Sequence, residues 1–200
     1  MKLIFATNNL HKIDEIKSAL RNTSIEVITL KDAGIEIDIP EPYRSLEENA
    51  THKSRTIYAL TKMNCFSEDT GLEVEALLGE PGVKSARYAG EAKSFEKNIE
   101  KLLRNLEGND NRKAKFRTVI SLIIGEKEIL FEGSCNGTIT YGGKGQNGFG
   151  YDPVFVPDDA IHTFAEMNMD EKNRFSHRKK AVDKLVAYLS ERQLKQNPRI

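Results

Sequence analysis

The spacing of apolar and polar positions predicts an α/β protein that opens with a strand, a helix and a second strand. Residues 3–6 form a short apolar run, as expected of a buried strand. A polar loop at 7–11 follows, and from residue 12 the apolar positions recur at helical spacing. Residues 25–30 are predicted to form the second strand, so this unit should contain two parallel strands.

The remaining pattern extends the opening unit into a mixed sheet. Ser45 followed by Glu48 fits a capping box and predicts the start of a helix. A short strand is expected to stop at the polar pair Glu68-Asp69. We therefore predict an α/β class with helices flanking a mixed sheet, folded as one domain over residues 1–200. The further predicted elements are a helix at 45–62, a strand at 65–67, a helix at 95–106, a β-hairpin at 116–133, a strand at 153–156 and a helix at 178–189.

Composition and charge narrow the classes of protein to which the chain can belong. Lys+Arg and Asp+Glu both number 30, so the formal net charge is zero, which argues against a general nucleic-acid-binding protein. Cys65 and Cys135 form no C-x-x-C pair, which favours free thiols in a reducing compartment. No stretch approaches the ~20 apolar residues of a membrane span. We expect a cytoplasmic protein that binds neither nucleic acid nor a membrane.

The loop between the first strand and the first helix is a candidate anion site. Backbone N–H groups at a helix start lack intrahelical partners and lie at the positive end of the helix dipole. Lys12 adds a positive charge, and Asn9 adds amide donors. The glycine spacing and the G-K-[ST] ending of a Walker A loop are missing. The alternative is an ordinary capped turn with a surface lysine.

The run Glu68-Asp69-Thr70-Gly71 is a candidate metal site. It follows the predicted short strand, and open α/β sheets bind ligands at such strand ends. Glu41 and Glu48 lie upstream. Carboxylates that converge on a cleft suit Mg²⁺, which takes oxygen ligands and usually bridges to substrate phosphates. For each acid taken singly, the alternative is a helix cap or a solvated surface group.

Two motifs in the last third of the chain are candidates for recognising a nucleobase. Glycines flank Phe149 within the run Gly148 to Pro153, so the backbone can approach a flat ligand while the ring offers a stacking face. His177 and Arg178, with Lys172 just upstream, can donate hydrogen bonds to a carbonyl-bearing base edge. The alternatives are a glycine-rich turn around a core aromatic, and a charged helix start on a solvated face.

Six segments, taken together, match the motifs of one known family in that family's order. They are Ala6-Thr7-Asn8-Asn9-x-x-Lys12, Glu48-Asn49-Ala50, Glu68-Asp69-Thr70-Gly71-Leu72, Pro81-Gly82-Val83-x-Ser85-Ala86-Arg87-Tyr88, Phe149-Gly150-Tyr151-Asp152-Pro153 and Ser176-His177-Arg178. Any one motif is weak, but six in order are hard to produce by chance. Through them the chain resembles the inosine triphosphate pyrophosphatase family, enzymes that remove deaminated purine nucleotides.

The resemblance implies a fold, an activity and a cofactor. The fold would be an elongated mixed sheet that forks into two lobes around a central substrate cleft, in a homodimer. The activity would be Mg²⁺-dependent hydrolysis between the α and β phosphates of inosine and xanthosine triphosphates and their deoxy forms, which keeps these purine nucleotides out of DNA and RNA.

The resemblance also assigns residues by motif position. Asp69 would be catalytic, as the candidate general base, and would bind Mg²⁺ together with Glu41. Residues 7–12 and Lys53 would hold the triphosphate, and Phe149 would stack on the purine. The full set of implied substrate-binding residues is Thr7, Asn8, Asn9, Leu10, His11, Lys12, Lys53, Thr70, Phe149, Gly150, Tyr151, Asp152, Lys172, His177 and Arg178.

Three alternative hypotheses about the function remain open at this point. A pyrophosphatase of the Maf-like group, acting on modified pyrimidine nucleotides, would start with a loop rich in serine and arginine, whereas this chain has Asn8-Asn9. A nucleotide-binding module without catalysis would bind in Mg²⁺ without turnover. A nucleic-acid-binding domain would show steeply salt-dependent binding to duplex.

Overall fold

The predicted strands and helices are present in a computed structural model, which describes residues 1–196. In this described part the strands are β1 (Lys2–Phe5), β2 (Glu26–Thr29), β3 (Cys65–Val74), β4 (Pro81–Gly82), β5 (Lys113–Ile124), β6 (Lys127–Ile139) and β7 (Phe155–Pro157). The α-helices are α1 (Leu10–Ala19), α2 (Leu46–Thr61), α3 (Phe95–Asn105), α4 (Met169–Asn173) and α5 (His177–Gln196).

The strands within residues 1–196 form one mixed sheet of 7 strands in the order β2-β1-β3-β5-β6-β7, with β4 also paired to β3. β1 runs parallel to both β2 and β3, as the strand–helix–strand opening predicts. From β3 onward the pairs β3–β5, β5–β6 and β6–β7 are antiparallel. The predicted α/β class with a mixed sheet is confirmed.

The pairing along the two edges of β3 explains why the sheet forks. On one edge, β5 pairs with every residue from Cys65 to Val74. On the forked edge β1 reaches only Cys65 and Phe66, and β4 pairs only with Leu72 and Glu73. Residues 67–71 therefore have no strand partner on this edge within the described chain. A cleft opens there, between a first lobe built on β1 and a second lobe built on β4 and the distal part of the hairpin.

Each lobe has its own apolar core, which explains why the fork holds its shape. In the first lobe α1 and α5 pack on one face of the sheet, and α2 packs on the other face through residues such as Ile57. In the second lobe Leu102 and Leu106 of the α3 segment pack against Phe116 and Phe155. Burying one such side chain contributes roughly 1.5–3 kcal/mol. Cys65 and Cys135 are free and buried in these cores.

Two predicted boundaries near the cleft are wrong, each for a local reason. Helix α1 begins at Leu10 rather than at Lys12, because the Asn9 side chain caps it by accepting the Lys12 N–H at 3.2 Å. Strand β3 does not stop at Glu68 and Asp69. It continues because β5 pairs along its whole length, so both acids lie inside a strand.

The predicted capping box at the start of α2 is half right. Ser45 is the N-cap and its hydroxyl accepts the Glu48 N–H at 3.2 Å. The Glu48 carboxylate, however, accepts from the Ser45 hydroxyl at 2.7 Å instead of reaching the backbone N–H of that residue. Glu48 is exposed, so it caps the helix and does not join the acids of the cleft. None of the helices in the described chain combines the length and the apolar character that crossing a membrane requires.

Candidate active site

The fork between the lobes holds a cleft of about 510 Å³. Its lining combines residues from the start of the chain, such as Thr7, with residues from near the end, such as Arg178. Of the sequence-predicted residues, Leu10 and His11 do not line it; Leu10 is 72% exposed. Those that line it are Thr7, Asn8, Asn9, Lys12, Glu41, Lys53, Asp69, Thr70, Phe149, Gly150, Tyr151, Asp152, Lys172, His177 and Arg178.

The start of α1 forms one wall of the cleft. The Asn8 side chain donates to the Ile37 carbonyl at 2.7 Å, which ties the loop to the segment that precedes α2. Asn9 uses its side-chain oxygen as the helix cap, so its amide hydrogens stay available as donors. The first N–H groups of α1 have no intrahelical acceptor. Lys12 Nζ lies 3.4 Å from Glu68 Oε1. These N–H groups and the Lys12 ammonium group, here called the cationic wall, could together hold an anion.

The acids Glu41 and Asp69 share one lysine at the centre of the cleft. Lys53 of α2 forms an ion pair with Glu41, and its Nζ lies 3.6 Å from Asp69 Oδ1. Asn49 Nδ2 donates to Asp69 Oδ2 at 3.2 Å and to the Tyr43 carbonyl at 3.3 Å. Asn49 thus fixes the orientation of the Asp69 carboxylate and anchors the segment that carries Glu41.

The two carboxylates have opposite pKa shifts. Burial raises the pKa of Asp69, and the nearby Glu41 charge adds to this, while Lys53 and Lys12 oppose it. Burial also acts on Glu41, but the charges of Lys53 and Lys12 outweigh it and hold its pKa below the usual range. Burial works against the charge of Lys53, yet Asp69 and Glu41 raise its pKa, so it stays an ammonium. The cleft therefore holds one firmly ionised acid beside one that takes up a proton more easily.

These two carboxylates are suitable ligands for a hard divalent cation that takes its remaining ligands from water and substrate. Within residues 1–196, no cluster of three or more His, Cys, Asp or Glu side chains is arranged to bind a metal. Mg²⁺ commonly takes one or two protein carboxylates and fills the other positions with water and substrate phosphates. The mutual repulsion that helps to raise the Asp69 pKa is relieved by a cation near both acids. Glu41 and Asp69 could hold such an ion together with water and phosphate ligands.

The other end of the cleft is braced by a buried chain of charges. Arg178 donates to Glu68 through Nε at 2.8 Å and through Nη2 at 2.8 Å, and its Nη1 donates to Glu15. Lys172 donates to Glu15 at 2.7 Å and also binds Asp152. All five side chains are at most 5% exposed. Each carboxylate therefore has a cationic partner, which buried charges require.

Within this buried chain of charges, the pKa is lowered for Glu15 and Glu68 but raised for Asp152. Burial raises the pKa of Glu15 and Glu68, but the cations outweigh it, Arg178 foremost, and both pKa values end below the usual range. For Asp152, burial wins over Lys172 and the pKa is raised. Arg178 has its pKa raised by the same acids, so its charge is permanent.

His177 supplies an unsatisfied polar atom at this end. It is 2% exposed, its ring stacks on Phe116 with centroids 4.6 Å apart, and its Nδ1 is buried without a partner in the described chain. Burial lowers its pKa well below the usual range, and the charges of Arg178 and Lys172 add to this. The imidazole is therefore neutral, so one ring nitrogen can donate a hydrogen bond and the other can accept one, and the residue lines the cleft.

The glycine-rich loop presents Phe149 to the cleft. Gly148 and Gly150 have φ values of +72° and +63°, which glycine adopts without strain. The Phe149 N–H donates to Asp152 Oδ2 at 2.8 Å, so the loop is tied to the buried chain of charges. Tyr151 is only 4% exposed and its hydroxyl donates to the Ser85 carbonyl at 2.9 Å, which makes its main contact a structural one.

Comparison with known proteins shows the family to which the chain belongs. The sequence model of the Ham1 family matches residues 3–188. The chain belongs to the Ham1 family. A dITP/XTP pyrophosphatase of Flavobacterium johnsoniae is 48% identical over 190 residues, which cover 95% of this chain and 98% of that protein. A dITP/XTP pyrophosphatase of Caldanaerobacter subterraneus subsp. tengcongensis is 48% identical over 195 residues, which cover 96% and 98%.

The Ham1 fold is also seen in solved structures. The Staphylococcus aureus Ham1 protein matches this chain with a TM-score of 0.85 at 38% sequence identity, covering 96% of this chain and 100% of that chain. The resemblance that the six motifs carry is confirmed, and so is the fold class.

Two further residues of this Ham1 chain, Glu15 and Asn49, contribute to the site, although nothing in the sequence assigns them a role. Glu15 lies in α1 away from its apolar stripe, and its partners Lys172 and Arg178 are 157 and 163 positions away. Asn49 belongs to one of the six motifs, but nothing in the sequence shows that its side chain holds Asp69. The packing of α1 against α4 and α5, and of α2 against β3, brings these contacts about.

Proposed function

We propose that this Ham1 chain is a Mg²⁺-dependent pyrophosphatase that hydrolyses ITP, dITP and XTP between the α and β phosphates. The products are a nucleoside monophosphate and pyrophosphate. The observation that carries this proposal is the cleft itself, which joins an acid pair and a cationic wall at one end to a neutral imidazole and an aromatic platform at the other. Near 50% identity over almost the whole length to proteins named dITP/XTP pyrophosphatases supports the same conclusion.

The triphosphate lies along the cationic end. The N–H groups at the start of α1 donate to phosphate oxygens, and Lys12 and Lys53 neutralise their charge. Both lysines are already paired with acids, Lys12 with Glu68 and Lys53 with Glu41. They are therefore held in place before the substrate arrives, and little conformational entropy is lost on binding.

Asp69 is the residue that takes the proton of the attacking water. Without the metal ion, burial raises the pKa of Asp69, and a carboxylate of higher pKa is a stronger proton acceptor. Asn49 holds Oδ2, so the carboxylate cannot rotate away during the transfer. Glu41 and Asp69 would hold the Mg²⁺. When bound, this ion supplies charge neutralisation for the phosphates and lowers the pKa of the water.

The end of the cleft that contains Arg178 and His177, the base end, selects purines that carry a 6-oxo group. Arg178 has five N–H donors, and within the described chain its bonds to Glu68, Thr70 and Glu15 leave one on Nη1. That donor and a protonated ring nitrogen of His177 pair with a carbonyl oxygen. The 6-amino group of adenine offers hydrogens instead. One unsatisfied buried donor costs about 1–3 kcal/mol, so two give on the order of 10²-fold discrimination.

A panel of nucleoside triphosphates tests this proposal. We expect kcat/KM for ITP and XTP to exceed that for ATP by about 10²-fold or more, with turnover abolished by EDTA and restored by Mg²⁺. GTP shares the 6-oxo group, so its rejection must come from the 2-position. Equal rates on ITP and ATP, or a preference for modified pyrimidine triphosphates, would overturn the assignment. A homodimer, implied by the resemblance, and a cytoplasmic location, expected from the sequence composition, belong to the same proposal.

A further inference from the structure

Three aromatic rings, two of which line the cleft, meet beside it. The His11 ring, on the first turn of α1, stacks on Phe149 with centroids 5.0 Å apart and planes at 12°. Phe95, the first residue of α3, lies 6.1 Å from each of these rings. The resemblance implies that residues 7–12 hold the triphosphate, and within this run the His11 side chain contacts Phe149. The contact joins the first lobe to the second.

The ring of Phe149 depends on such contacts for its orientation. Its neighbours in the chain are glycines in the left-handed region, which contribute no side chains to pack beside it. Lys172 and Arg178 approach the ring at 5.5 Å and 5.7 Å from its centroid. His11 is the neighbour that lies parallel to the ring, and it does not line the cleft. It therefore backs the platform from outside and leaves the cleft to the ligand.

Helix α1 carries contacts to both ends of the substrate. Lys12, next to His11, belongs to the cationic wall, and its charge acts on both Glu41 and Asp69. Glu15 follows His11 by one helical turn, so the two lie on neighbouring positions of the helix surface. Glu15 binds Lys172 and Arg178 at the base end. Because α1 is one helix, the residues that face the phosphates and the residue that backs Phe149 are held in fixed positions relative to each other.

We propose that His11 is a positioning residue that couples the cationic wall, which holds the triphosphate, to the aromatic platform, Phe149, by holding the Phe149 ring. This inference rests on the proposed function. A purine on the cleft side of Phe149 completes a stack of base, phenyl ring and imidazole. Aromatic pairs of this kind change a binding constant by roughly 2- to 10-fold. His11 acts on the base through Phe149, so the effect is confined to ligands that contain a base.

The test compares two ligands on three variants. The ligands are an ITP analogue with a methylene bridge between the α and β phosphates, and inorganic tripolyphosphate, both with Mg²⁺. The variants are His11→Ala, His11→Phe, which keeps a stacking ring, and Asp14→Ala, an exposed position on the same helix. Calorimetry gives each Kd, steady-state kinetics give KM and kcat for ITP, and thermal unfolding checks that the variants are folded.

We expect His11→Ala to raise the Kd of the analogue and the KM for ITP by about 5-fold, with kcat and tripolyphosphate binding unchanged. His11→Phe should restore both values, and Asp14→Ala should leave all of them unchanged. Equal weakening of both ligands would mean that His11 contacts phosphate, and no weakening would mean that the stack has no role; either overturns the inference alone. Wild-type protein that binds tripolyphosphate but neither binds nor hydrolyses inosine nucleotides would overturn the proposed function, and this inference with it.

Discussion

Glu68 and Asp69 are neighbours in sequence, yet they serve opposite sides of the sheet. Successive side chains of a strand point to opposite faces, so Glu68 meets Arg178 of α5 while Asp69 meets Asn49 and Lys53 of α2. Glu68 is ionised and locked in an ion pair, whereas Asp69 has a raised pKa. One acid therefore braces the base end, and the other is available for chemistry.

Replacing Asp69 separates catalysis from stability. We expect Asp69→Asn to lower kcat by a factor of about 10² to 10⁴, since a general base contributes that much. Burial raises the Asp69 pKa, so the folded state binds this proton more tightly than the unfolded chain does. Stability is then lost as pH rises from the ordinary carboxyl range through the raised pKa. The asparagine variant lacks this loss and should have a higher Tm at pH 7 in EDTA.

The Tm difference should close as the pH approaches about 4, where the unfolded carboxyl also binds its proton. Thermal unfolding of both proteins across that pH range checks the prediction. Wild-type turnover in the variant would remove Asp69 from the mechanism, and a lower Tm at pH 7 would contradict the burial argument.

Removing Arg178 should affect stability as much as activity. Arg178→Ala leaves the buried carboxylates of Glu15 and Glu68 without their main partner, which costs about 3–5 kcal/mol. Arg21→Ala is the matched control, because Arg21 is exposed and lies 3.7 Å from an exposed Asp170; such pairs contribute roughly 0–1 kcal/mol. Urea unfolding measures both. Similar losses in the two variants would show that the buried chain of charges does not stabilise the fold.

At the scale of elements, the position of α5 depends on one glycine in β6. A Cβ added to Gly133 would lie 2.1 Å from the His177 carbonyl oxygen and 2.4 Å from the Ala181 nitrogen. The backbone of α5 therefore rests directly on β6. Because His177 and Arg178 form the first turn of this helix, the close approach sets where the base end of the cleft lies.

A single methyl group should disturb this contact. We expect Gly133→Ala to cost about 1–3 kcal/mol through overpacking and to lower kcat/KM for ITP, since α5 must move. Gly142→Ala is the control, because a Cβ there meets no atom within 4 Å. Unfolding and kinetics of both variants check this. If Gly133→Ala keeps wild-type stability and rate, β6 does not set the position of α5.

Elements with strong local patterns could be predicted from the sequence, whereas contacts between distant segments could not. The opening strand–helix–strand unit and the hairpin of β5 and β6 follow from apolar spacing and turn residues. The length of β3 could not be predicted, because its polar middle is held in a strand by pairing with β5. The motifs include most residues that line the cleft. The role of Glu15 could not be predicted, because its partners approach it only through tertiary packing.

At the scale of the whole molecule, the cleft separates two lobes that one ligand can join. A ligand that binds only the folded state at 100 times its Kd adds about 2.7 kcal/mol of stability, or roughly 5–10 °C in Tm for a chain of this size. We expect the methylene-bridged ITP analogue with Mg²⁺ to produce such a shift, in one cooperative transition. Two separate transitions would contradict a single domain over residues 1–200, and no shift at saturating analogue would contradict binding in the cleft.

The most direct test of the central claim identifies the products formed from ITP by phosphorus NMR. Wild-type protein with Mg²⁺ should yield inosine monophosphate and pyrophosphate, and Asp69→Asn at the same concentration should yield almost none. Release of orthophosphate with inosine diphosphate would show that a different bond is cleaved. Equal product from both proteins would show that the chemistry does not depend on the acid that Asn49 and Lys53 hold in the cleft.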